Sequence, residues 1–131
     1  MSNIKFEILV REYLNATGFK TVNMQPGKAV QLTFGDTSIY IENGKSIGHP
    51  GDILLLWEID STTNPNFLLS INSRYHVTGY GYFGKVEPDG KIFYFFHSPI
   101  PENVAQMGRQ LAQFVGYVSL IKKELVSHAA S

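Results

Sequence analysis

The chain has 131 residues, with 11 Lys and Arg against 11 Asp and Glu, four His and no Cys. This length predicts one domain with its own hydrophobic core, and a composition of 44% apolar and 17% charged residues excludes a disordered chain. The lack of Cys excludes disulfides, thiolate metal sites and a cysteine nucleophile. Zero net charge argues against nucleic acid or an anionic membrane as a partner.

The beginning of the chain does not have the pattern of a targeting signal. Its first residues, MSNIKFEILVREYL, are interrupted by charges and lack the apolar core of a signal peptide. The longest apolar run, Ile53–Trp57, is far shorter than the roughly 18 residues that cross a membrane. We therefore expect a cytoplasmic protein with no membrane partner.

The first part of the chain has the pattern of one helix followed by strands. Apolar residues at helical spacing predict a helix that begins at residue 2 or 3 and ends at Gly18. Period-two alternation predicts strands over 30–34 and 38–42, on either side of a turn at Gly35-Asp36. The buried face of the helix is expected to contain Phe6, Leu9, Val10, Tyr13 and Leu14.

The third predicted strand, Asp52–Asp60, is apolar on both faces. Leu54 and Leu56 make the second face apolar. A strand of this kind is central in its sheet, or its second face contacts something other than water. The residues of its first face are Ile53, Leu55, Trp57 and Ile59.

A short helix and a hairpin follow. Asn64-Pro65 has the pattern of an N-cap and a first-turn proline, and predicts a helix over 65–76. Tyrosines alternate with glycines in a fourth strand over 79–86. The turn Glu87-Pro88-Asp89-Gly90 then leads into a fifth strand, Lys91–His97.

The strongest periodicity in the chain predicts a long last helix. Apolar residues recur at steps of three and four from Val104 to Leu125, and residues 126–131 are expected to be a disordered tail. The order is then helix, three strands, helix, two strands, helix. Because strands joined by hairpins pair antiparallel, we predict one α+β domain over 1–125, with an antiparallel five-stranded sheet and the helices outside it.

The histidines are the first candidates for a chemical site. None has the local spacing to another His or to a carboxylate that a metal site requires, so we expect no metal. His97 is the strongest exception, because it follows Phe93 and Phe95 on a strand and an imidazole titrates near neutral pH. The four are His49, His76, His97 and His128.

Two further patterns predict no chemistry. Glu58 and Asp60 share one strand face, and a polar strand end is a simpler interpretation than an acid–base pair. The segment 79–84 matches G-x-G-x-x-G, but it opens a strand rather than a helix, so we reject a dinucleotide site. We expect no catalytic residue and no cofactor.

The strands have more apolar surface than one helix-covered face needs. Tyr40, Leu54, Leu56, Phe93 and Phe95 lie opposite the main apolar stripe or near it. Large exposed apolar patches mark interaction sites, so a second subunit or an extended peptide is expected to cover them. The alternative is that helices cover both faces and leave nothing exposed.

Five segments together have the pattern of a known family. They are ILVREYLNATG (8–18), AVQLTFGDTSIYIE (29–42), LLSINSRY (68–75), GKVEPDGKIFYFF (84–96) and PENVAQMGRQLAQFVGYVSLIKKEL (101–125). With this order and these lengths, the chain resembles the class I chaperones of bacterial type III secretion over nearly its whole length. The resemblance rests on hydrophobicity and length and not on a catalytic signature.

The resemblance implies a homodimer in the bacterial cytoplasm that uses no nucleotide and catalyses no reaction. The N-terminal segment of a secreted effector would wind around it in extended form and stay soluble and export-competent. The implied effector contacts are strand edges together with Tyr40, Leu54, Leu56, Phe93 and Phe95. The implied dimer contacts are Leu68, Leu69, Ile71, Tyr75, Tyr80 and Tyr82.

Two other classes of function stay open at this point. A nucleic-acid module would stack bases on the exposed rings, but it would need more positive charge than surrounds them. A closed cavity would favour a small-molecule-binding protein or enzyme, whereas a flat or grooved apolar surface would favour the chaperone. The expected pocket, between the sheet and the last helix, would be lined by Tyr80, Tyr82, Tyr94 and His97.

Overall fold

The computed structural model describes residues 2–17, 30–34, 37–60, 62–87 and 89–130. Its helices are α1 (Ser2–Thr17), α2 (Pro65–Asn72), the single turn α3 (Tyr75–Thr78) and α4 (Val104–Ala130). Its strands are β1 (Val30–Phe34), β2 (Thr37–Asn43), β3 (Asp52–Ile59), β4 (Tyr82–Val86) and β5 (Lys91–Pro99). A 3₁₀ turn, Gly44–Ile47, links β2 to β3.

The strands form one antiparallel sheet in the order β1-β2-β3-β5-β4. This confirms the predicted α+β class with a five-stranded antiparallel sheet. The register of the central pair, β3 and β5, runs from Asp52 opposite Pro99 to Ile59 opposite Ile92. The strand with two apolar faces is therefore central, which is one of the two alternatives that its sequence left open.

One face of the sheet, called here the inner face, packs against the helices. Alternate residues of every strand belong to one hydrophobic cluster with side chains of all four helices. The predicted face of α1 is confirmed, because all five of its residues are buried. The long period of α4 is confirmed too, and its fully buried residues are Met107, Leu111, Phe114, Val118 and Ile121.

The predicted helix over 65–76 is two helices, which are separated at Ser73 and Arg74. Its start is as predicted, with the Asn64 side chain accepting a backbone N–H of the first turn and Pro65 inside that turn. The break falls where the sequence has weak helix formers, and Arg74 leaves helical geometry with ψ at 79°. The prediction of one continuous helix is therefore wrong.

The fourth strand begins at Tyr82 and not at residue 79. Gly79 ends α3 in the left-handed region with φ at 58°, and Tyr80 follows with φ at 70°. A left-handed glycine cap is a common end of a helix, because glycine adopts this φ without strain. Tyr80 is therefore outside the strand alternation.

The last helix continues through Ala130, so residues 126–130, which the sequence assigned to a disordered tail, are helical. His128 in its last turn stacks on Phe67 of α2, with the ring centroids 3.9 Å apart. This contact holds the end of α4 against α2 and is the physical reason for the difference.

Three predicted features lie outside the described residues: the helix end at Gly18, the turn at Gly35-Asp36 and Pro88 of the last hairpin. The described part of that hairpin is as predicted, since Gly90 has φ at 70° and its N–H donates to Val86 O at 2.9 Å. None of the described helices is both long and apolar enough to cross a membrane.

Candidate functional site

The face of the sheet opposite the core, called here the outer face, carries a group of aromatic and aliphatic side chains. Strands β2 to β5 contribute to it through residues that alternate with the core residues. Five of its members are the residues predicted to contact an effector, and the fold brings them together. The set is Tyr40, Leu54, Leu56, Tyr82, Val86, Phe93, Phe95 and His97.

One row of the register crosses four strands of the outer face. Tyr40 lies opposite Leu56, and Leu56 lies opposite Phe95. Phe95 in turn lies opposite Tyr82. Because side chains at paired positions stand about 5 Å apart, this row forms a continuous apolar strip.

The rings of the outer face contact one another across and along the strands. Tyr82 stacks on Phe95 with the centroids 5.3 Å apart. The ring centroid of Phe93 lies 6.2 Å from those of both Phe95 and Tyr40. Gly84 makes room for the Phe95 ring, since a Cβ at Gly84 would lie 2.9 Å from that ring. The glycine there serves side-chain packing.

The two leucines form the floor of the outer face, and the rings form its surface. Leu54 is 1% exposed and Leu56 is 7% exposed, although neither belongs to the core cluster of the inner face. Tyr40, Phe93 and Phe95 are half-buried, and Tyr82 is exposed. Leu56 is flanked by Tyr40 and Phe95, and Leu54 by Glu42 and His97. We therefore assign the leucines to packing among these side chains, which leaves the rings as the accessible part of the predicted effector site.

A groove of about 310 Å³ lies on the outer face. Lys91 Nζ stands 3.8 Å from a carboxylate oxygen of Glu58 at its side. Three carboxylates and one ammonium group make the polar part of the groove acidic on balance. The lining residues are Tyr40, Leu56, Val86 and Phe93, with Glu42, Glu58, Asp89 and Lys91.

At one end of the outer face, His97 meets the loop that precedes β3. Its Nε2 is 2.7 Å from Tyr82 Oη and its Nδ1 is 3.9 Å from Asp52 Oδ2. Its ring lies edge-on to His49, with the centroids 5.0 Å apart. Burial, and to a smaller extent His49, lowers the pKa of His97, while Asp52 opposes that shift. Local spacing could not reveal this cluster, because β3–β5 pairing brings distant residues together.

The carboxylates Glu58 and Asp60 do not form a chemical pair. Both are exposed, and Glu58 is beside Lys91. Asp60 accepts hydrogen bonds from the N–H and hydroxyl of Thr62 at 2.9 and 2.8 Å, and these lower the pKa of Asp60. The interpretation as a polar strand end is confirmed.

A second apolar surface, called here the α2–α3 rim, consists of Leu69, Tyr75 and Tyr80. These side chains are 63%, 54% and 80% exposed, and the two tyrosine rings stack with centroids 4.7 Å apart. Leu68 and Ile71, which the sequence placed in the same interface, are buried in the core of the single chain. We therefore remove these two from the predicted dimer contacts, because they lie on the core side of α2.

The aromatic pocket expected for a small-molecule site does not form among the described residues. Tyr94 points into the core, where its hydroxyl donates to Thr78 O at 2.5 Å and its ring stacks on Phe114 at 5.5 Å. Tyr82 and His97 lie on the outer face. The predicted pocket is wrong, because strand alternation sends its members to opposite faces of the sheet and Phe114 fills the space beside Tyr94.

The chain matches no protein-family model, and no curated protein matches its sequence. A chain of the ExsC–ExsE complex aligns with it at a TM-score of 0.68 and 15% identity, over 94% of this chain and 95% of that chain. A chain of the HopA1–SchA chaperone–effector complex aligns at a TM-score of 0.67 and 12% identity, over 89% and 92%. A chain of the ExoT–SpcS complex from Pseudomonas aeruginosa aligns at 0.57 and 17% identity, over 89% and 97%. The chain has the fold of the class I type III secretion chaperones, as its sequence predicted.

Proposed function

We propose that this chain is a cytoplasmic chaperone that binds the N-terminal segment of a type III effector and keeps it soluble and export-competent, without catalysing a reaction. The observation that carries the proposal is the outer face, where an apolar strip crosses four strands. Likeness in fold to chains of chaperone–effector complexes supports it.

The outer face suits an extended segment with alternating apolar side chains. In such a segment every second side chain points the same way, so one side of it can lie against the rings. Phe and Tyr supply large contact areas at a low cost in side-chain entropy. The carboxylates beside the groove favour a segment that carries Lys or Arg next to its apolar residues.

The free edge of β4 is a weaker candidate for the main contact than the rings. β4 lies at one edge of the sheet, and the N–H of Phe83 already donates to Asn72 Oδ1 at 3.0 Å. An occupied backbone donor hinders the addition of another strand. We therefore place the effector segment on the rings of the outer face.

The α2–α3 rim is proposed as the contact of a homodimer. Its three side chains are among the exposed large apolar residues of the described chain, and two of them stack on each other. Tyrosine and leucine gathered in this way on a surface are typical of an interface. The outer face and the α2–α3 rim lie on different elements, so an effector segment and a second subunit can be bound at the same time.

The effector proposal is tested by capture with matched variants. The chain is immobilised and incubated with lysate of the bacterium that carries it. The captured protein is identified and then produced as its N-terminal segment alone. We expect this segment to bind the wild type and to stay soluble on co-expression. Phe93→Thr should weaken binding about tenfold or more, because an aromatic anchor of an interface is lost.

The control is Leu120→Thr, which removes an exposed apolar residue of α4 that lies off the outer face. Thermal unfolding verifies that both variants are folded. Equal binding by the wild type and Phe93→Thr, or binding of the captured protein through a region other than its N-terminal segment, would overturn the proposal.

The dimer proposal is tested by light scattering at micromolar concentration. The wild type should have twice the mass of one chain. Tyr80→Asn, which tolerates the left-handed backbone at this position, should yield monomers, whereas Ile8→Asn on α1 should not. A monomeric wild type, or a dimer that survives Tyr80→Asn together with Leu69→Asp, contradicts the rim as the interface.

A further inference from the structure

Three possible metal ligands meet where the loop before β3 reaches the end of β5. One donor atom from each of His49, Asp52 and His97 lies within 4.8 Å of the other two. The Nδ1 atoms of both imidazoles are 3.9 Å from the same carboxylate oxygen, Asp52 Oδ2. Two imidazoles and one carboxylate therefore converge on one point at the solvent-facing end of the outer face.

The loop that carries His49 is held in place by its backbone. The N–H of His49 donates to Gly44 O at 2.8 Å, and the N–H of Asp52 donates to His49 O at 3.1 Å. Gly44 has no room for a side chain, since a Cβ there would lie 2.5 Å from His49 O. Gly48 supplies the left-handed turn with φ at 83°. The position of His49 relative to Asp52 is thus fixed by the fold and not by the side chains alone.

The ring of His97 is oriented by Tyr82. Tyr82 Oη and His97 Nε2 are 2.7 Å apart. When Nε2 carries the proton and donates it to Tyr82 Oη, Nδ1 keeps its lone pair and faces Asp52. A hydrogen bond to the outer nitrogen of a ligating imidazole is the usual support of a metal site.

We propose that His49, Asp52 and His97 bind one Zn²⁺ ion through the two Nδ1 atoms and the carboxylate. Ligands of tetrahedral zinc stand about 3.3 Å apart, so the carboxylate–imidazole distances close by about 0.6 Å on binding. The half-exposed side chain of His49 is free to make this movement, and three protein ligands leave the fourth position to water. A site with two imidazoles favours Zn²⁺ over Mg²⁺ or Ca²⁺, which prefer oxygen ligands.

Calorimetric titration of the full chain with ZnCl₂, after removal of any purification tag, tests the proposal without an effector. We expect one Zn²⁺ per chain and no measurable heat of binding with MgCl₂. His49→Ala and His97→Ala should each weaken Zn²⁺ binding at least tenfold. Tyr82→Phe should weaken it by about tenfold, as the loss of a supporting hydrogen bond does at other sites.

The matched control is His76→Ala, since His76 is exposed on α3 and is not among the three proposed ligands. It should leave the affinity unchanged. Zn²⁺ should raise the midpoint of thermal unfolding of the wild type and of His76→Ala but not of His49→Ala. Equal affinities in His49→Ala and His76→Ala, or an affinity for Mg²⁺ similar to that for Zn²⁺, would overturn the site.

Discussion

The packing of Leu54 among its neighbours on the outer face can be measured directly. Its side chain is 1% exposed although it does not belong to the helix-covered core. Replacing a buried Leu by Ala costs about 2–5 kcal/mol. A domain of 131 residues has a total stability of about 7–20 kcal/mol, at about 0.05–0.15 kcal/mol per residue. Leu54→Ala should therefore lose a large share of the free energy of unfolding.

Urea denaturation followed by circular dichroism provides the measurement. The midpoint for Leu54→Ala should fall while the slope m stays unchanged, since the surface exposed on unfolding is nearly the same. The control Leu69→Ala removes a side chain that is 63% exposed and should change stability by no more than about 0.5 kcal/mol. Leu54→Asp should lose more than Leu54→Ala, because the cost of burying a carboxylate adds to the loss of the apolar contacts.

A small loss of stability in the Leu54 variants would contradict the burial of this side chain. If Leu54→Ala loses less than about 1 kcal/mol, the typical effect of an average substitution, the neighbours of Leu54 on the outer face do not enclose it. The same conclusion follows if Leu54→Asp folds with wild-type stability. In that case Leu54 would be accessible to a partner, as the sequence first predicted.

Three further predictions concern the core and the helices. Burial raises the pKa of Tyr94. The contribution of its neutral phenol to the free energy of unfolding is therefore fully present below pH 10 and is lost as the pH rises above that value. Tyr94→Phe should reduce this loss, as measured by urea denaturation at several pH values. Arg74 forms a bidentate, partly exposed ion pair with Glu124, with both N–O distances at 3.0 Å. Arg74→Ala should lower the free energy of unfolding in urea by about 0.5–1 kcal/mol at low salt and by less in molar salt. Gly79→Ala should cost about 1–2 kcal/mol or more in thermal unfolding, because its φ is left-handed and the Tyr117 ring occupies the place of a Cβ.

Periodicity was sufficient to predict the five strands, the first and last helices and both faces of the sheet, but not the break that divides the helix predicted over 65–76. The alternation of Ile53 with Leu54 marks β3 as apolar on both sides, and the steps from Val104 onward mark the buried stripe of α4. These features depend on neighbours along the chain, so the sequence shows them directly. The assignment of Tyr40, Phe93 and Phe95 to one outer face follows from the same alternation.

Features that depend on register and on distant contacts could not be predicted. The burial of Leu54 and Leu56 depends on their neighbours across the sheet, since Leu54 lies between Glu42 and His97 and Leu56 lies between Tyr40 and Phe95. Likewise, the meeting of His49 with His97 requires the β3–β5 pairing, which no local pattern encodes. The pocket expected from Tyr94 and His97 is a different kind of error, because the local alternation of β5 already sends these two side chains to opposite faces.

The β3–β5 ladder joins residues that are far apart along the chain, with Asp52 paired to Pro99 and Ile59 to Ile92. Pairing of distant strands is slow, because a long loop must be closed before the contacts compensate its entropy. During that interval the apolar faces of β3 and of the β4–β5 hairpin are exposed to other chains in the cell. A protein proposed to shield another chain's apolar segment is therefore itself at risk of aggregation during its synthesis. This risk falls once β3 has paired with β5.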